Sequence, residues 1–233
     1  MKILALITAR GGSKRLPGKN IKILGGKPLV TWSIDLAKNI SKICDILVST
    51  DDVEIFNICY DAGALCPWLR PKELSSDSAT SADTAIHALN WYEAERGAVD
   101  GLLLLQPTSP FRSLDTIHKG IELFEMNDRQ TVLGVSPTHS HPAWTMKIQD
   151  GHLAPFLCGR TFVPRSQDLP LTYVLNGSFY LISPEMLRKN MSFMEQKALP
   201  LIMESQKESL DIDTIWDFKM AEAMLAIDDR DFD

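Results

Sequence analysis

The sequence predicts a three-layer α/β domain built on a mostly parallel sheet. Three observations carry this. Apolar runs of strand length alternate with segments of helical period. The strand runs are continuously apolar, as expected of strands covered on both faces. The chain has 233 residues, which makes one domain, or one with a subdomain, long enough to bury a core without staples.

The elements follow in order. Ile3 to Ile7 reads as a buried strand. Pro28 to Ile40 reads as a helix with Pro28 near its first turn. Ile46 to Thr50 is a second strand, and Val53 to Ala62 a second helix. Ser81 to Arg96 is a helix, Leu102 to Leu105 a strand, Leu114 to Met126 a helix, and Thr131 to Val135 a strand. From about Pro137 to Asn176 the rhythm breaks into prolines and polar residues, the pattern of a small inserted subdomain. A strand returns at Ser178 to Ser183. Thr214 to Asp217 resembles a capping box, and an amphipathic helix follows to about Ile227. Sheets of this kind bind ligands at the carboxyl ends of their strands, so chemistry is expected just after each one.

Composition narrows the function. Net charge is −6, which argues against wholesale nucleic-acid binding. Cys44, Cys59, Cys66 and Cys158 form no Cys-x-x-Cys pair, so no disulfide framework or zinc knuckle is indicated and a reducing cytoplasmic setting is expected. The apolar start is too short for a signal-peptide core or a membrane span. His139 and His141 have no third ligand at zinc spacing.

The loop after the first strand is the strongest chemical signal. It holds Arg10, Lys14, Arg15 and Lys19, no acid, and three glycines. Glycines let backbone N–H groups approach a ligand, and fixed positive charge suits a triphosphate. The spacing fits neither a Walker loop nor the dinucleotide fingerprint. A merely solvated basic loop is the bland alternative.

From Ala9 to Asn20 this loop resembles the signature of the acylneuraminate cytidylyltransferases, the CMP-sialic acid synthetases. Further matches follow in order: Ser49-Thr50-Asp51, Leu69 to Leu74, Leu105 to Arg112, Asn176-Gly177 with Tyr180, and Ser209 to Thr214. The likeness covers essentially the whole chain. It implies a three-layer nucleotidyltransferase (Rossmann-like) domain whose insertion at 137–176 serves dimerisation. It implies transfer of CMP from CTP to a nine-carbon sugar acid, with Mg2+ as cofactor and a homodimer as the assembly.

The residue roles below are those the resemblance implies. Arg10 and Lys19 hold the triphosphate and stabilise departing pyrophosphate. Lys14 and Asn20 help fix the nucleotide. Arg70 and Ser81 hold cytidine and ribose; the plain alternatives are a surface ion pair and a helix cap. Asp211 and Asp213 are the metal candidates, since alternate residues of an extended segment share a side and magnesium takes one or two carboxylates. A half-exposed strand leading into a helix cap would show the same pattern. Gln106 is assigned to the sugar, and its neutral amide favours the sialic-acid branch over enzymes of the eight-carbon Kdo acid. Arg165 is a candidate for the substrate carboxylate, its alternative being a surface arginine. Asn176 is a substrate candidate, its alternative a turn with Gly177.

Val174 stands where relatives using N-acetylneuraminic acid often carry arginine, and Ala143-Trp144 where they carry a basic residue. This apolar character points to a 9-deoxy sugar of legionaminic or pseudaminic type. Two other functions share these features: another nucleotidyltransferase, such as a CMP-Kdo or sugar-1-phosphate enzyme, and a non-catalytic nucleotide sensor of the same fold.

Overall fold

The computed structural model describes residues 1–76, 78–157 and 165–227. Strand β1 (Ile3–Thr8) is followed by a two-residue ladder of β2 (Ile23–Leu24) with β3 (Lys27–Pro28), then helix α1 (Leu29–Lys38). Next come β4 (Ile43–Ser49), α2 (Val53–Asp61), α3 (Ser81–Arg96), β5 (Gly101–Leu104), α4 (Leu114–Met126) and β6 (Val132–Pro137). A hairpin of β7 (Met146–Gln149) and β8 (His152–Pro155) precedes β9 (Tyr173–Ile182). Helix α5 (Pro184–Asn190), β10 (Leu199–Ile202) and α6 (Ile215–Ala226) complete the chain.

The main sheet has the order β10-β6-β9-β5-β1-β4. Strand β1 runs parallel to both β4 and β5, and β6 parallel to β10. Strand β9 is antiparallel to both of its neighbours. Helices α1, α2 and α4 pack one apolar face with Val30, Ile34, Ile55, Ile117 and Phe124. Helix α3, with Ala85 and Leu89, and Leu187 of α5 cover the other. Because β1 lies between β4 and β5, the chain diverges at its carboxyl end and opens a crevice there.

Several expectations are corrected. The returning strand begins at Tyr173, not Ser178, so residues 173–176 belong to the main sheet. The hairpin of β7 and β8 turns through Asp150 (φ 53°) and Gly151 (φ 80°), the Asp-Gly signal of a tight hairpin turn. Strand β10 contains Pro200, which argues against a central strand; it sits at the sheet edge, where proline is tolerated. Helix α6 buries Phe218 and Ala221 but exposes Ile215, Trp216 and Met220, so its amphipathic pattern is weak. Thr80, not Ser81, caps α3, in a reciprocal box with Asp83.

Candidate active site

The loop after β1 is folded by its own residues. Gly18 adopts φ 66°, a conformation glycine takes without strain, and starts the short turn Lys19–Ile21. That turn buries Asn20, whose side-chain amide donates to the Arg10 carbonyl (2.9 Å) and ties the two ends of the loop together. The Gly11 amide donates to Asp51 at the end of β4 (3.0 Å). Leu16 anchors the loop in a third apolar cluster with Phe111, Ile212 and Phe218. This cluster joins three segments otherwise distant in sequence: residues 10–20, 106–112 and 210–213.

Together these segments enclose a cleft of about 520 Å3. Arg10, Lys14, Lys19, Asn20, Gln106, Asp211 and Asp213 all line it. Lys19 donates to Asp213 (2.9 Å) and to the Ile212 carbonyl (3.0 Å), and Arg15 pairs with the other Asp213 oxygen (2.7 Å). The Ile212 amide donates to the Thr108 carbonyl (2.8 Å), which holds the aspartate segment against the loop after β5. Asp211 reaches cleft solvent, yet the surrounding walls exclude enough water to raise its carboxyl above the usual range. A hydrogen bond from Thr108 opposes that rise, and the neighbouring Asp213 charge adds to it.

A second, polar cavity of about 310 Å3 adjoins the first, with Thr8 and Arg10 lining both. Arg70, Thr80, Ser81 and Thr84 lie in its wall. Arg70 is buried, donates through Nε to Ser49 Oγ (3.0 Å) and also bonds the Ser49 carbonyl. Burial lowers its pKa; Asp51 opposes this and Arg10 reinforces it. Arg70 is thus neither at the surface nor in a simple ion pair.

Two predicted residues stand apart from both cavities. The Asn176 side chain is buried against Ser136 (3.0 Å) and accepts from the Ser178 amide (3.0 Å), so it braces β9 instead of facing the cleft. Arg165 is exposed and lines neither cavity. Cys158 and Pro164 lie outside the described residues. Trp144 and Val174 are exposed and line neither cavity.

Residues 4–147 match the model of the cytidylyltransferase family. The chain belongs to that family. It is 37% identical over 228 residues to the CMP-N,N'-diacetyllegionaminic acid synthase of Legionella pneumophila, covering 97% of each protein. It is 29% identical to the pseudaminic acid cytidylyltransferase of Campylobacter jejuni, again over 97% of each. The N-acylneuraminate cytidylyltransferase of Streptococcus agalactiae serotype V is 34% identical over 94% of this chain, which spans 52% of that protein. In fold the chain resembles a CMP:2-keto-3-deoxy-manno-octonic acid synthetase complexed with CTP (TM-score 0.73, 16% identity, 97% and 99% of the two chains covered).

In this cytidylyltransferase five further residues, to which the sequence assigned no role, line the same walls: Thr8, Ser13, Arg15, Pro107 and Thr108. Thr108 could have been found from the rule that ligands meet strand ends, since it follows β5 by four residues. Arg112, the end of the Leu105 to Arg112 motif, likewise had no assigned role and is buried behind the cleft. Burial lowers its pKa to about 9, with the Asp211 charge opposing, and so leaves it cationic at neutral pH.

Proposed function

We propose that this cytidylyltransferase transfers CMP from CTP to the anomeric hydroxyl of a nine-carbon sugar acid. The observation that carries the reading is the pair of cavities that share Thr8 and Arg10. One is basic with two carboxylates and suits a triphosphate beside an acceptor. The other, with Arg70, Ser81 and Thr84, suits a base and ribose. The sugar oxygen attacks the α-phosphorus; the new O–P bond forms as the bond to pyrophosphate breaks, and the hydroxyl proton passes to solvent. Arg10 and Lys19 meet the charge that grows on pyrophosphate. Lys14 fixes the phosphates, Asn20 acts mainly by shaping the loop, and Gln106 contacts the sugar.

The donor set fits magnesium. Asp211 and Asp213 offer hard oxygens in one cleft, the Asp213 charge adds to the burial that raises the Asp211 carboxyl, and water and phosphate would complete the shell. Among the described residues no third acidic, His or Cys side chain joins them. When bound, the ion neutralises triphosphate charge.

The legionaminic acid synthase, the most similar of the three named relatives, and the apolar Ala143, Trp144 and Val174 support a legionaminic- or pseudaminic-type acid. The test is pyrophosphate release with each of the four NTPs, with and without chelator, followed by competition between N,N'-diacetyllegionaminic and N-acetylneuraminic acids. CTP alone should serve, chelator should abolish turnover, and the legionaminic product should dominate by about tenfold, the scale of one lost polar contact. Equal use of the four nucleotides would refute the assignment. Full activity in chelator removes the metal role, and a product ratio near one removes the sugar preference.

We also propose that the chain works as a homodimer through its excursion after β6. Ile148, Leu153, Phe156 and Leu171 are 79, 73, 60 and 84% exposed, and Tyr173, Val174 and Leu175 at the start of β9 are exposed as well. So many exposed apolar side chains within one excursion mark an interaction surface. Trp144 and Val174 would then reach a sugar only across that interface. Light scattering should give twice the chain mass, and Leu171→Glu should lower it; a wild-type monomer at micromolar concentration refutes the dimer. No helix among the described residues is long and apolar enough to cross a membrane.

A further inference from the structure

We propose that Arg112 is a positioning residue that sets the sugar side of the cleft by clamping Gln106 to β9 and α1. Its guanidinium lies behind the cleft and reaches uncharged oxygens on three separate elements. Nε donates to the Ser178 carbonyl in β9 (2.5 Å), Nη1 to Ser33 Oγ in α1 (3.0 Å), and Nη2 to the Gln106 carbonyl (2.6 Å). A planar fork with fixed donor directions is what three diverging acceptors need; an ammonium on a flexible stem cannot span them.

The clamp places Gln106 because β9 presses on its other end. Gly177 sits at φ 73°, and a Cβ there would come within 2.7 Å of the Gln106 side-chain oxygen. Ser109 Oγ donates to the Asn176 carbonyl (3.3 Å), and Ser178 Oγ to the Glu208 carbonyl (3.0 Å). Glu208 precedes the aspartate pair by three residues. Arg112 therefore fixes at one point the loop that carries Gln106 and the strand that braces the segment leading to Asp211. The nucleotide cavity, with Arg70 and Ser81, shares none of these contacts. The clamp should therefore act first on the sugar and leave the base and ribose contacts alone.

This rests on the reading of Gln106 as a sugar contact. The experiment compares Arg112→Lys, Ser33→Ala, Gln106→Ala and the double variant Gln106→Ala/Arg112→Lys. Kinetics with N,N'-diacetyllegionaminic acid are paired with equilibrium CTP affinity in its absence. Arg112→Lys should raise the sugar KM about tenfold and lower kcat, with CTP affinity within about twofold of wild type. Ser33→Ala, which removes one contact far from substrate, should shift the sugar KM the same way by about two- to threefold. The double variant should be little worse than Gln106→Ala, because both changes act through one group. Unchanged sugar KM in both Arg112→Lys and Ser33→Ala, beside a damaged Gln106→Ala, overturns the clamp alone. CTP affinity falling in parallel with sugar affinity overturns it too, since Arg112 would then only support the fold. A wild-type Gln106→Ala instead sinks the reading of Gln106 itself.

Discussion

Asp211→Ala and Asp213→Ala are each expected to lower kcat by at least about a hundredfold at saturating magnesium, the scale of losing one charge-stabilising element. Stability should behave differently. Asp211 has a folded-state pKa raised by burial and by Asp213. A group raised on folding adds stability only below its unfolded value and costs stability once ionised. Where Asp211 is ionised it therefore weakens the unliganded fold relative to its protonated form, and its removal should leave Tm unchanged or higher. Asp213 differs, since it anchors Lys19 and Arg15. Its removal should free both cations and cost a little, because partly exposed pairs contribute only about 0–1 kcal/mol. Near-normal turnover in both variants would end the metal assignment. Unfolding of Asp211→Ala would show that its role is structural.

Lys19→Ala and Arg10→Ala form the second large effect. Both should lower kcat and kcat/KM together, as expected when an interaction forms only in the transition state. Lys19 carries the added consequence of its bond to Asp213. Without it the two aspartates face each other with only Arg15 still paired to Asp213, so magnesium should bind more tightly even as turnover falls. Titration of magnesium against rate in Lys19→Ala checks this. A change confined to the CTP KM would make both residues ground-state anchors. Near-additive losses in Lys19→Ala/Asp213→Ala would show that the observed pair does not couple them.

The sequence by itself determined the alternation of strands and helices, because period and capping are local. Ser81–Arg96 and Leu114–Met126 emerge with the expected ends. It also determined the basic loop, because glycines and cations within eleven residues need no distant partner to be recognised. The tertiary structure decided what depends on neighbours. Strand β9 is antiparallel although its apolar run reads like any buried strand, since direction is set by which edges pair, not by composition. Asn176 looked like a ligand residue in a turn, but the pleat of β9 directs its amide to Ser136 in the core. Arg112 closes a family-like motif, Leu105 to Arg112, but nothing local gave it a role. An arginine beside a phenylalanine on a polar loop reads as surface, and only the convergence of β9, α1 and the loop after β5 supplies the three oxygens that make its burial tolerable.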